Sequence, residues 1–402
     1  MNVRRSAAVL AAVTVIGAAI PAAAAPSPTP SQAFPSALYG DKDPKFDGVW
    51  RQSLALLAQD TVGEKPAAKS VEWLVRQQCG NGGFAAYRPD PTTACDAKTM
   101  LDTNATAAAV QALAALGGQD AVADKAVGWL KSVQNEDGGW GYAPGGASDT
   151  NSTSVVIGAL TAAGEKPDQV EKGGKSPYDA LLKLALPCGG DGDGAFAFQP
   201  DKKGELTANA DATAAGVLGA LGKGMVAEAG KKSDAGCAEP RTPEQAAANG
   251  AAYLTKALAK DDDHLTSALA GADPQPDHGN TADAVVALAA RGDTAQAEKS
   301  LGWLEKNSAT WAEQGGPAAY AQLVFAAHAT GANPRDFGGT DLVKRLNATG
   351  PAPQTPEKTA AAEDRSDSKS DFFGVWWYVG VCLVAGIGIG FLFTGRKKRQ
   401  QS

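Results

Sequence analysis

The sequence predicts an all-α body of repeated helix pairs, and three observations carry that prediction. Positions Val71, Leu74, Val75 and Gln78, like Val156, Ala159, Leu160 and Ala163, follow the i, i+3, i+4, i+7 spacing of one helix face. A Trp-Leu segment followed by a glycine–aromatic turn returns after 56 residues. Polar knots of Asp, Asn, Ser and Thr then open the apolar stretches that follow these turns. No period-2 strand pattern competes with this reading.

In chain order, Arg4-Arg5, the apolar run Ala7–Ile20 and the small residues Ala22–Ala25 read as a signal peptide over 1–25. Residues 26–43 are a Pro- and Ser-rich linker. The body, 44–347, divides into twelve helical segments near 48–59, 67–78, 104–117, 121–134, 152–164, 177–186, 211–223, 243–259, 280–291, 294–307, 317–330 and 339–347. Residues 348–371 are polar and read as a disordered stalk. Residues 372–394 carry no charge and hold Trp376, Trp377 and Tyr378 at one end, as a transmembrane helix does. The basic tail 395–402 follows at once, which places it in the cytoplasm and makes the chain a single-pass type I protein of the cell surface. No LPxTG-type motif precedes the span.

The repeat fixes the pairing of the helices. Val71–Gln78 leads to Gly82-Gly83-Phe84, and Val127–Leu130 leads to Gln134–Tyr142, with Trp73 and Trp129 and also Gly83 and Gly139 each 56 apart. Looser copies begin at Tyr178, Tyr253 and Trp303, and Asp193–Phe196 repeats the turn. The knots are Asp102–Thr106, Asp149–Thr153, Asn209–Thr213 and Asp277–Thr281. Gly117, Gly164 and Gly292 close their helices eleven residues after the knot threonine, and Gly222 closes the third after nine. Twelve helices in alternating long and short connections make six pairs, as an open solenoid or a closed ring.

Charge and cysteines bound the compartment. Of 37 cations, Arg4, Arg5 and the four of Arg396–Arg399 lie in the two terminal segments; the other 31 face 44 acids, a net of −13. Such a surface repels nucleic acid, which is excluded as a partner. Outside the span lie Cys79, Cys95, Cys188 and Cys237, an even number suited to an oxidising compartment. Of three pairings, Cys79–Cys95 and Cys188–Cys237 each close a loop within one helix-to-helix connection. No CxxC spacing supports a metal site.

At QNEDGGWGY (134–142), with VGWL before it, the chain resembles the prenyltransferase and squalene-oxidase repeat family. That family includes terpene cyclases, protein prenyltransferase β subunits and, more distantly, cobalamin carriers of the intrinsic-factor type. The resemblance implies an α/α toroid of six helix pairs in a double-layered barrel, the first helix of each pair lining the centre.

The residues themselves support a ring of polar groups at that centre. Helix capping accounts for every knot, yet convergent helix N-termini also present donors and dipoles to a ligand. The candidate ligand-binding residues are Asp102, Asn104, Thr106, Asp149, Asn151, Thr153, Asn209, Asp211, Thr213, Asp277 and Thr281, with Trp140 and Tyr142 from the second turn. No catalytic residue is assigned. DxDD, DDxxD and a D-x-C zinc pair are absent, and His264, His278 and His328 lack HxxxH spacing, so no metal is expected. Lys260–His264 reads as a solvated acidic loop, and Cys188–Gly194 is at most a partial calcium loop. Helices 104–117, 152–164, 211–223 and 280–291 contain no aromatic residue, which argues against carbocation chemistry. The expectation is a membrane-anchored extracellular toroid that binds a small molecule at the barrel mouth, for delivery to a membrane transporter; the resemblance to cobalamin carriers makes a corrinoid the most concrete ligand. The alternatives are an extracellular toroid enzyme acting on an isoprenoid or glycan, and a ligand-free interaction module.

Overall fold

The computed structural model describes residues 35–190, 192–232, 237–267 and 273–355. The signal peptide (1–25), the transmembrane segment (372–394), the basic tail (395–402) and most of the linker and stalk lie outside the described residues. Among the described residues no helix is long and apolar enough to cross a membrane.

All twelve predicted segments are helices, and a thirteenth joins them. They are α1 (Gly48–Thr61), α2 (Ala68–Arg76), α3 (Thr103–Leu116), α4 (Asp120–Ser132), α5 (Thr150–Ala162), α6 (Pro177–Leu184) and α7 (Ala210–Ala220). The second half holds α8 (Pro243–Lys260), α9 (His278–Arg291), α10 (Thr294–Asn307), α11 (Ala309–Gly315), α12 (Pro317–Thr330) and α13 (Leu342–Asn347). α11 lies where the sequence reads only as a connection. It is seven residues long, too short for periodicity to reveal, and ends at Gly316 with φ 70°. Between α8 and α9 the two-residue strands β1 (Thr266–Ser267) and β2 (Gln275–Pro276) pair antiparallel.

The packing closes a ring. α1 packs on α3, α3 on α5, α5 on α7, α7 on α9, α9 on α12, and α12 returns to α1. α2, α4, α6, α8, α10 and α13 each pack against the ring helix that precedes them and form an outer layer. Sequence period left solenoid and ring open; the α12–α1 contact is what closes the ring. The inner helices are rich in fully buried alanine, such as Ala107, Ala109, Ala159, Ala214, Ala287 and Ala326. Small side chains let six helices meet on a short circumference. The outer helices supply the bulk, with Trp73, Leu74, Trp129, Leu130 and Leu254 buried.

Chain segments beside the ring also pack on it. Tyr39 is fully buried; its hydroxyl shares its proton between the Pro351 carbonyl at 2.8 Å and Gln59 Oε1 at 3.0 Å. Gln354 bonds Lys65 and Pro66, at the end of α1. Residues 35–43 and 348–355 therefore belong to the body. The disulfides are Cys79–Cys95 and Cys188–Cys237.

The glycine–aromatic turns show why glycine is needed. Gly82, Gly138 and Gly194 recur at intervals of 56 and have φ of 103°, 90° and 81°. A Cβ at Gly82 would lie 2.2 Å from the Lys125 carbonyl oxygen, and one at Gly138 would lie 2.2 Å from that of Ser176.

Candidate functional site

Four copies of one hydrogen-bonded unit set the starts of α3, α5, α7 and α9. A cap side chain accepts the N–H three residues on: Asp102 from Ala105 (2.8 Å), Asp149 from Ser152 (2.6 Å), Asn209 from Ala212 (2.8 Å) and Asp277 from Asn280 (3.0 Å). The threonine four residues past the cap reaches back to the preceding turn. Thr106, Thr153, Thr213 and Thr281 accept the N–H groups of Phe84, Trp140, Phe196 and Leu265 at 2.9, 3.1, 3.0 and 3.0 Å. The cap N–H bonds the carbonyl of that same turn residue in every copy. Knot and turn are thus one device that joins an inner helix to the strand-like segment before it.

This device fixes where the expected site residues go. Asp102, Asp149, Asn209, Asp277 and the four threonines are engaged at helix ends. Trp140 is buried, and its indole N–H donates to the Leu130 carbonyl at 2.8 Å. Tyr142 is 54 % exposed on the outer rim, its hydroxyl bonded to Asp102; burial and that carboxylate push it up to about 12.

Only the residue two beyond the cap turns to the centre. Asn104, Asn151 and Asp211 line a cavity of about 260 Å³ at the end of the ring where the inner helices begin. The fourth copy has Gly279 at that place, and Asp283, one turn further along α9, lines the cavity instead. Asn151 donates to Asp211 at 2.7 Å, and Gln322 of α12 donates to both carboxyl oxygens of Asp283 at 3.2 Å. Trp50 and Leu54 of α1, Val286 of α9 and Phe325 of α12 form the apolar wall.

The expected aromatic-free lining is corrected here. It was read from the four knot-bearing helices, whereas α1 and α12, which lack knots, complete the ring and bring Trp50 and Phe325 to the cavity. Asp283 and Gln322 also escaped the sequence reading. The signal available was a carboxylate and an amide inside otherwise apolar helix faces, where polar residues are rarely placed without a role.

Both acids are raised by burial. Burial raises Asp211, and the Asp277 charge adds to that while the Asn151 bond opposes it. Burial pushes Asp283 up to about 7, helped by the Asp211 and Asp277 charges and opposed by Gln322. Burial and the nearby Asp211 charge both favour the protonated form of Asp283.

The far end of the cavity is closed by residues 222–226. Gln111 of α3 accepts the Met225 N–H at 2.9 Å and donates to the Val155 carbonyl at 3.1 Å. A Cβ on Gly158 would lie 2.7 Å from the Gly224 Cα, so glycine permits that crossing. A second hollow, lined by Leu57, Ala115 and Thr161, lies beyond the segment.

The partial calcium loop and the histidines make contacts with protein groups. Cys188, Asp193 and Cys237 come together, but the sulfurs form a disulfide and Asp193 pairs with Lys256 at 2.9 Å. His278 packs against Trp303 and Trp311, with its Nε2 3.2 Å from the Asn307 carbonyl. His264 stacks on Trp303 at 4.2 Å, which orders the end of the acidic loop.

Comparison with known proteins agrees with this architecture. Residues 50–221 match the prenyltransferase alpha-alpha toroid domain. The chain is 29 % identical over 143 residues to squalene–hopene cyclase of Alicyclobacillus acidocaldarius, covering 33 % of this chain and 22 % of the cyclase. It is 38 % identical over 80 residues to drimenyl diphosphate synthase of Streptantibioticus cattleyicolor, covering 20 % of this chain and 13 % of the synthase. The chain thus spans under a quarter of either relative. Among solved structures, a protein from Actinoplanes matches 73 % of this chain and 93 % of its own at 15 % identity and a TM-score of 0.47. A wild-type glycosidase matches 71 % and 86 % at 14 % identity and a TM-score of 0.41. Residues 50–221 are thus similar to the toroid domain of prenyltransferases, and shorter stretches of the chain are similar to two terpenoid cyclases.

Proposed function

We propose that the protein binds a small, neutral, partly apolar molecule in the central cavity of its toroid. One observation carries this reading: the carboxyls of Asp211 and Asp283 share a cavity walled by Trp50 and Phe325. A protonated Asp283 donates to a ligand oxygen, an Asp211 carboxyl oxygen accepts from a ligand hydroxyl, and the aromatic wall takes the apolar face. The size of the cavity favours a ligand smaller than a corrinoid, since about 260 Å³ falls below the roughly 300–1,000 Å³ of drug-sized sites. The two disulfides fit an oxidising, extracellular setting. In this proposal residues 372–394 hold the toroid at the cell surface, where it serves as a receptor for a membrane transporter.

Calorimetry on the full-length protein tests the binding, with geraniol, glucose and cobalamin as probes. A small alcohol should bind, more weakly above pH 7 as Asp283 loses its proton, and Asp283→Asn should flatten that dependence. Tight cobalamin binding, or no binding of any small alcohol, would sink the reading.

The Asp283 titration and the aromatic pair also favour a second reading, acid-initiated turnover of an isoprenoid. Asp283 would give its proton to a carbon–carbon double bond, and the faces of Trp50 and Phe325 would steady the cation formed. Gas chromatography of isoprenoid alcohols incubated with the protein decides it: product lost in Asp283→Asn supports turnover, and no product at any pH rejects it.

A further inference from the structure

Outside the cavity, the connection between α2 and α3 builds a second concave surface. The segment is held rigidly. Cys79–Cys95 closes it, and the guanidinium of Arg88, buried at 8 % exposure, donates to the carbonyls of Arg76, Gln77, Gln78, Pro91 and Thr93. Gln77 accepts the Arg88 N–H at 2.7 Å. Between this segment and the turn before α1 runs a groove of about 790 Å³ that shares no lining residue with the central cavity.

The groove is apolar and acidic together. Phe46 and Met100 are 78 % and 79 % exposed, and Tyr142 stands beside them. Of the four exposed large hydrophobic residues among the described residues, three line this one groove. Asp43, Asp90 and Asp96 edge it. Hydrogen bonds from Thr92 and Thr93 hold Asp90 down to about 2, and Lys98 and Thr99 hold Asp96 below its usual range, so both stay charged. Of the two cations in the lining, Arg88 is engaged with carbonyls and Lys45 lies over the Phe46 ring at 5.4 Å.

We propose that this groove docks a peptide segment of a partner protein in which a Lys or Arg adjoins an aromatic or large aliphatic residue. Charge complementarity selects that occupant. An anionic lipid surface and a second copy of this face would both meet Asp90 and Asp96 with like charge. The exposed Phe46 ring offers a basic side chain the cation–π contact that Lys45 now makes. A groove already rigid costs a partner little ordering on its side.

Selection of a randomised peptide library on the full-length protein, followed by anisotropy with the enriched peptide, tests the proposal. The enriched sequences should pair Lys or Arg with Phe, Trp or Leu, and binding should weaken as salt shortens the reach of the charges. Phe46→Ser with Met100→Ser, and separately Asp90→Asn with Asp96→Asn, should each weaken binding about tenfold or more, as loss of anchor residues does. These side chains are exposed, and an asparagine oxygen keeps the Oδ1 bonds from Thr92 and Lys98, so circular dichroism should match the parent protein. Neutral or acidic enriched sequences would overturn the proposal, as would affinity unchanged in both double variants. Phe46- and Met100-dependent sedimentation with phosphatidylcholine vesicles, or dimerisation lost in those variants, would replace the peptide with a lipid surface or a second copy.

Discussion

The ring has two kinds of wall. α3, α5, α7 and α9 begin with the same knot, the same threonine bridge and the same bond to the turn before them. α1 and α12 lack the knot: the Asp47 cap of α1 and the Gly316 cap of α12 make no side-chain capping bond. The repeated arc supplies the acids and amides at the centre, and the closing pair supplies Trp50, Phe325 and Gln322. Repetition in this protein secures the scaffold. The chemistry of the cavity comes from departures: Asp211 where earlier copies have asparagine, Asp283 where they have Ala108 and Val155, and helices outside the pattern.

The largest effect should come from the closing pair. Phe325 is 4 % exposed, so Phe325→Ala should cost about 3–5 kcal/mol in urea unfolding, against less than about 1.5 for Phe325→Leu. Equal losses in the two variants would mean that α12 contributes backbone rather than side chain to the wall.

Next comes Asp283, a departure from the arc. Its folded pKa lies above its unfolded one, so the folded state binds more protons between about pH 4 and pH 7. Its contribution therefore declines as pH rises through that window. Asp283→Asn keeps the Gln322 contact and removes the titration, and should raise stability at pH 8 on the order of 2–4 kcal/mol while changing little at pH 4. A gain of equal size at both pH values would disprove a buried, neutral acid.

The repeated arc predicts a smaller, uniform response. Thr153→Val leaves the buried Trp140 N–H without its acceptor and should cost about 1–3 kcal/mol. Thr213→Val should cost the same within about 0.5 kcal/mol, because the unit around Phe196 is alike. Unequal losses would show that the copies are alike in geometry but not in energy. The smallest effect belongs to the outer rim, where Met100→Ser should shift stability by no more than about 0.5 kcal/mol.

The contrast between the two walls also explains what could be read from the sequence. Helices 48–59 to 339–347 were legible because burial on one face imposes a 3.6-residue period. The turn glycines were legible because Gly82 and Gly138 must adopt positive φ. Asn104, Asn151 and Asp211 were found as knot members, though not distinguished from the neighbours that cap and bridge. That distinction depends on which way a helix start faces, and it exists only once the ring is closed. Trp50 and Phe325 gave no local sign at all. Their role arises from the contact of α12 with α1, between the two ends of the ring.

The segment that crosses the ring at Gly224, clamped by Gln111, makes the barrel a cup with one opening. A molecule that enters must leave by the same rim, and the end that goes in first comes out last. Occupancy time is then governed by the rim rather than by the depth of the cup, and the cup can tell the two ends of an elongated guest apart.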